Sequence, residues 1–205
     1  MKSKLGVLVL SVVLMTALFA GCAKEPTVEL DAAKAALEAA KAAEADRYLA
    51  ADFNAAQDSL NAAVTEIETQ KSKFALTRSY DHAKKLIASA QTAADAAKEQ
   101  VAAKKEQVRQ EVVAALAEAQ TNLTDTKALL KKAPRGKEGR AALEAIQTDL
   151  TTIEQTSLAE VNTLLTSGDF LTAKDKATAA LAKLKSIKDE LQQAIDKKAA
   201  AMKKR

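Results

Sequence analysis

Tryptophan is absent from this chain, cysteine and histidine occur once each, proline twice and glycine five times. The single cysteine, Cys22, excludes an internal disulfide framework and any zinc site built on several thiolates. The single histidine, His82, sits beside Asp81 in the first turn of a predicted helix. A nucleophile, a base and an orienting group must converge for acyl-transfer chemistry, and His82 has no such company in the sequence, so it reads as a solvated helix residue. The neighbouring carboxylates Asp189 and Glu190 point to different sides of a helix and do not make an acid/base couple. No catalytic residue, metal ligand or cofactor motif is expected. Aromatic side chains number six, and those beyond the first 21 residues are expected on or beside the apolar stripes of helices instead of interleaving with basic residues, so stacking platforms for single-stranded nucleic acid are lacking.

Long apolar runs are also scarce, with one exception at the start. Lys2 and Lys4 precede an apolar block over residues 5 to 19, which gives way to Ala20, Gly21 and Cys22 and then to Lys24, Glu25 and Pro26. Charge, grease and small residues in that order are the pattern of a secretory leader. A bilayer-spanning helix needs about 20 apolar residues, and this block stops short of that.

The stretch "FAGC", residues 19 to 22, resembles the lipobox of bacterial lipoproteins, with Phe19 where the family prefers leucine. The resemblance implies that residues 1 to 21 are a signal peptide, that cleavage falls between Gly21 and Cys22, and that the Cys22 thiol carries a diacylglycerol. It also implies acylation of the new amino terminus by a fatty acid such as palmitate. Two or three acyl chains anchor a protein almost permanently, since each buried methylene adds about 0.8 kcal/mol. Residues 22 to 27 would form a lipidated linker. Ala23 stands where an aspartate would retain such proteins in the inner membrane, so the implied address is the outer membrane of a cell envelope, facing the periplasm.

The formal charge of +4 falls to +2 without residues 1 to 21, too even a balance for a general nucleic-acid binder. Residues 183 to 205 are less even. Lys183, Lys185, Lys188, Lys197, Lys198, Lys203, Lys204 and Arg205 stand there against Asp189, Glu190 and Asp196. The outermost five, Lys197, Lys198, Lys203, Lys204 and Arg205, are candidates for contact with an anionic surface, either lipid headgroups or cell-wall carboxylates. The same charges also suit the carboxyl end of a helix.

Alanine dominates the remainder, with Leu, Lys, Glu, Gln and Asp, the residues that lose least on entering a helix. The fold class is therefore all-α. Phe53, Ala56, Leu60, Ala63 and Phe74 return ninety residues later as Leu143, Ile146, Leu150, Ile153 and Leu164. Tyr80, Ala83, Ile87, Ala90, Ala94, Ala97 and Val101 return as Phe170, Ala173, Ala177, Ala180, Leu184, Ile187 and Leu191. Their three-and-four spacing is the stripe of a helix packing on other helices. Leu30, Ala33 and Leu37 match Leu116, Ala119 and Leu123 with an offset of 86. The pattern predicts two tandem three-helix units of about 90 residues, over residues 28 to 106 and 107 to 205.

Helix breaks are expected at "KKAPRGKEG", residues 131 to 139, and at Gly168, with Asp169 next in line to cap the following helix. In the first unit Arg78 replaces that glycine, and Ser79 is the available cap, so the junction is expected to be less well formed. Nothing breaks the pattern from residue 80 to 130. The two units should share one long helix, with a solvated interval at "KKEQ", residues 104 to 107, as in a spectrin-like or coiled-coil rod.

Residues 28 to 98 resemble an alanine-rich helical domain of bacterial envelope lipoproteins, a domain with no assigned function. The resemblance rests on a Tyr-x-x-Ala-Lys turn into the last helix, here "YDHAK" at 80 to 84 and echoed by "FLTAK" at 170 to 174. It implies a fold and a location and no activity. The expectation is a non-enzymatic, membrane-anchored envelope protein whose partner is peptidoglycan or another envelope protein. The other reading is an accessory subunit holding a ligand in a groove between the repeats.

Overall fold

The computed structural model describes residues 24–134, 136 and 139–203. The described residues are all-α, with no strand among them. In chain order the elements are α1 (Thr27–Ala42), the one-turn α2 (Ala45–Tyr48), α3 (Ala50–Ser72), α4 (Asp81–Lys132), α5 (Arg140–Thr152), α6 (Leu158–Ser167) and α7 (Phe170–Lys203). A 3-10 turn, Ala75–Thr77, lies between α3 and α4, and a π-turn, Ile153–Ser157, joins α5 to α6. These helices gather into two compact units that part between Ala102 and Ala103, inside the unbroken α4.

In the first unit, α1, α3 and the opening half of α4 enclose two connected cores. One is built from Ala33, Leu60, Ala63, Ile67, Tyr80, Ala83, Ile87 and Ala90. The other holds Ala36, Ala40, Ala45, Phe53, Ala56, Ala94, Ala97 and Val101. Alanine at the contacts lets helix axes approach towards the short end of the 8 to 10 Å range, at the expense of area buried per contact. The turn from α1 to α3 contains neither glycine nor proline. Glu44 makes it by taking the left-handed conformation, φ 72°, with Arg47 Nη1 donating to its carboxylate at 2.8 Å, while Ala45 and Tyr48 plug the core below. A non-glycine residue held there costs about 1 to 2 kcal/mol.

The second unit packs the rest of α4 against α5, α6 and α7 around larger side chains: Leu123, Leu150, Ile153, Leu158, Leu184, Ile187 and Leu191, with Ala119, Ala133 and Ala180. Buried positions along α5 and α6 run 150, 153, 158 and 161. The five-residue step at the π-turn takes up one extra residue, because its hydrogen bonds close over i to i+5. In α3 the corresponding run is 60, 63, 67 and 70, so past the π-turn the offset becomes 91. Ser157 consequently does not occupy the place of Ile67, which is taken by Leu158. Over α4 and α7 the ninety-residue spacing holds throughout: all seven positions from Tyr80 to Val101 are buried, and so are their counterparts except Phe170, which is half-buried.

One expectation needs correction. Phe74 is not a stripe residue but 72% exposed, because α3 stops at Ser72 and the chain turns outward before the next helix. The α3–α4 junction is the longer of the two equivalent turns and lacks a glycine, and side chains tie it instead. Arg78 donates from Nε to the Lys73 carbonyl at 2.9 Å and from Nη2 to the Lys71 carbonyl at 2.7 Å, satisfying acceptors that the helix end leaves open. The buried Gln70 accepts from Ser79 N–H at 3.2 Å and donates to Glu66 at 2.7 Å. Ser79 Oγ accepts from Asp81 N–H at 3.4 Å and donates to the Asp81 carboxylate at 3.1 Å. The matching turn in the second unit is short. Gly168 takes φ 85°, and Asp169 N–H reaches back to the Leu164 carbonyl at 3.0 Å.

Candidate anchoring end and basic surface

The proposed lipidation and cleavage residues, Cys22 and Gly21, lie outside the described residues, as do Lys204 and Arg205. The described chain is engaged with the fold from Glu25 onward. Glu25 accepts from Lys71 Nζ at 2.6 Å, joining the approach to α1 to the last turn of α3. Glu25 thereby holds the Lys71 ammonium above its ordinary pKa. Pro26 is fully buried, and its carbonyl accepts from Leu30 N–H to begin α1. No helix among the described residues is long and apolar enough to cross a membrane.

This end of the first unit also carries apolar side chains that face outward. Phe74 and Leu76 are 72% and 62% exposed in the α3–α4 connection, and Val28 in the first turn of α1 is 74% exposed. Around them the stretch "KSKFALTRSY", residues 71 to 80, holds Lys71, Lys73 and Arg78 and no carboxylate. Sequence reasoning missed this feature because the ninety-residue alignment assigned Phe74 to the buried stripe. The signal present was Lys73 directly before it and Leu76 two residues after, a spacing that does not follow a helical face.

The basic stretch over residues 183 to 205 divides in two. Lys183 meets Asp149 at 2.8 Å, Lys185 meets Glu118 at 2.9 Å, and Lys188 meets Asp125 at 3.0 Å, all of them ties from α7 to neighbouring helices. These three cations are engaged within the unit, in surface pairs that each add little to its stability. Leu191 is the last buried residue of α7, and residues 196 to 203 are all exposed. There Lys197, Lys198 and Lys203 stand in solvent without a carboxylate partner among the described residues.

The "KKEQ" interval is stitched along its own helix. Arg109 forks onto the Glu106 carboxylate at 2.7 and 2.8 Å, Gln110 donates to it at 3.0 Å, and Lys104 reaches Gln107 at 3.2 Å. The Arg109 and Gln110 donors draw the Glu106 carboxyl down to about 2. Lys104 and Lys105 are half-buried, and Glu106 and Gln107 are exposed, between the buried Val101 and Val108.

His82 is exposed at the start of α4, and the adjacent Asp81 carboxylate is engaged by Ser79. Asp189 and Glu190 are exposed, with Glu190 accepting from Ser186. Among the described residues no three His, Cys, Asp or Glu side chains gather as metal ligands. Surface clefts of the second unit include one of about 360 Å³ lined by Gln120, Leu123, Thr124, Glu154, Leu158 and Asn162, beside the π-turn. Lys127 and Glu154 pair at its edge.

No protein-family model matches this chain, and neither a curated protein nor a solved structure matches it at a significant level.

Proposed function

We propose that this chain is a lipid-anchored protein of a bacterial cell envelope with a structural or interaction role and no catalytic one. Cys22 bears the lipid, residues 1 to 21 are removed, and the helical part presents polar faces to an envelope partner. The observation that carries this reading is the order of residues 2 to 22: two lysines, an apolar block, then Ala20 and Gly21 against the chain's one cysteine. It is supported by the helical unit that begins at once after it, with Pro26 already buried. A short tether of that kind holds a folded domain close to a leaflet without any span.

The finer architecture belongs to the same reading. Two copies of one three-helix unit, joined through α4 as in spectrin-like rods, account for the burial of equivalent positions ninety residues apart and for the parting of the units inside one helix. Lys197, Lys198 and Lys203, with Lys204 and Arg205 beyond them, then form a cationic end suited to the carboxylates of peptidoglycan or an acidic envelope protein.

Mass spectrometry of the mature amino terminus tests the anchor. The expected product begins at Cys22 and carries a thioether-linked diacylglycerol, and Cys22→Ser moves the chain from the membrane to the soluble fraction. A full-length chain with a free thiol overturns the reading. For the cationic end, Lys197→Gln/Lys198→Gln/Lys203→Gln should weaken capture on purified sacculi and flatten its salt dependence. Unchanged capture removes those residues from the role.

A further inference from the structure

Phe74 and Leu76 are the feature of this fold that its packing leaves unexplained. Both stand in the α3–α4 connection, which Arg78 and Gln70 hold in a defined shape, so their 72% and 62% exposure belongs to a built loop. Ordinary surface loops carry polar turn residues, whereas this one points two large apolar side chains at solvent within a stretch, residues 71 to 80, whose charged residues are all cations.

The position of this loop identifies its occupant. Lys71, at the end of α3, is ion-paired at 2.6 Å to Glu25. Cys22 lies three residues before Glu25 in the chain, so covalent geometry keeps the Cys22 backbone, the point from which the lipid extends, within about 11 Å of the Glu25 backbone. The leaflet that takes that lipid therefore meets this end of the first unit. Val28, 74% exposed in the first turn of α1, is at the same end. The charge there fits a leaflet surface. Lys73 has no carboxylate partner among the described residues, and Arg78 keeps its charge while capping α3. The acids that act on the residues of this junction are Glu25, paired to Lys71, Glu68, whose charge also reaches Lys71, Glu66, bonded to Gln70, and Asp81, engaged by Ser79.

We propose that the α3–α4 connection is a membrane-interface wedge: Phe74 and Leu76 enter the headgroup and upper acyl region of the leaflet that holds the Cys22 lipid, while Lys73 and Arg78 face phospholipid phosphates. The proposal rests on the lipid-anchor reading and adds to it a second, non-covalent contact that fixes how the first unit stands on the membrane. Apolar side chains flanked by basic ones are the composition of interfacial segments, which bury about 5 to 10 Å into that boundary.

The absence of tryptophan supplies a clean test. Phe74→Trp places one reporter in the loop without touching a core. Ala51→Trp, at an exposed site in the first turn of α3, places one at the other end of that helix, about 30 Å away at 1.5 Å per residue. Each full chain is expressed with its own leader, extracted, and reconstituted into vesicles of mixed zwitterionic and anionic phospholipid. The Phe74→Trp chain is expected to show blue-shifted emission that is quenched by lipids brominated high on the acyl chain, while the emission of the Ala51→Trp chain stays unmoved. A loop reporter that remains in water on vesicle-bound chain overturns the wedge. So do equal shifts in both variants, or a shift that appears without vesicles and grows with protein concentration, the mark of a second copy. The mass of the amino-terminal fragment, read on the same samples, separates the two ideas: an unmodified Cys22 defeats the anchor, whereas a lipidated Cys22 with the loop reporter in water defeats the wedge alone.

Discussion

Along the helix that closes each unit, Ala94, Ala97 and Val101 in the first stand where Leu184, Ile187 and Leu191 stand in the second, and both sets are buried. The first unit fills its interior mainly with alanine around Phe53, Leu60, Ile67, Tyr80 and Ile87. The second fills it with leucine and isoleucine and ties its helices from outside. Lys127 pairs with Glu154, Lys174 with Glu111, Lys176 with Glu160, Lys183 with Asp149, Lys185 with Glu118 and Lys188 with Asp125. Helical patterning sets which positions face inward, and side-chain volume sets how far apart the helices then stand. A close-packed alanine interface tolerates little added volume, while a leucine interface loses most when volume is removed.

The sharpest contrast is in large-to-small change. Leu150→Ala, at a site with no exposure, should destabilise the second unit by about 2 to 5 kcal/mol in a thermal or urea melt. Leu60→Ala should fall lower in that range, since Leu60 is 7% exposed. A larger loss at Leu60 would break the comparison. The converse change is Ala94→Leu in the first unit, which should cost about 1 to 3 kcal/mol by overpacking, and a neutral result would show that the alanine interface has slack.

Two smaller effects concern the turns. Replacing Glu44 with glycine should stabilise the first unit by less than about 1 kcal/mol, because relief of the left-handed backbone is partly offset by loss of the Arg47 hydrogen bond to the Glu44 carboxylate. Arg78→Ala should cost about 1 kcal/mol and speed amide exchange through residues 73 to 79, since the Lys71 and Lys73 carbonyls then fall back on water. The smallest effect distinguishes the ion-paired unit by pH. Lys174 and then Gln107 donate to Glu111 and hold its carboxyl below the usual range. A folded-state pKa below the unfolded value near 4.5 contributes stability above that value and loses it as pH falls through the folded one. Glu111→Gln should therefore be slightly less stable than the parent at neutral pH, with the gap closing on acidification and in high salt.

Much of the fold was legible because alanine-rich helices have little else to do. The apolar spacing placed Phe53, Ala56, Leu60, Ala63 and the whole run from Tyr80 to Val101 on buried faces, and they are buried. Pro134 and Gly168 marked helix ends that exist. The π-turn was not legible, since nothing in "IEQTS" differs from helix-forming sequence. It emerges only when Leu158 and Val161 compete with Ser157 and Glu160 for the interior. The break between residues 45 and 50 follows from the three-helix pattern and exists, but the left-handed backbone at Glu44 that makes it was not legible, since the turn lacks glycine and proline. At the candidate site, composition flagged the basic residues from Lys183 onward but could not sort them. Three are paired because acids on α4 and α5 lie opposite them, a fact of assembly and not of local sequence.

By itself the sequence determined that this protein is helical, which faces of those helices are apolar, and that a lone cysteine stands directly behind an apolar leader pattern. Those properties arise from backbone propensity and from spacing along one chain, and both are local. Only the tertiary structure decided that Phe74 and Leu76 are left outside just past the Lys71–Glu25 pair, and that Lys183, Lys185 and Lys188 are paired while Lys197, Lys198 and Lys203 are free among the described residues. Exposure and pairing depend on what another helix brings to the same place, and no single stretch of sequence contains that.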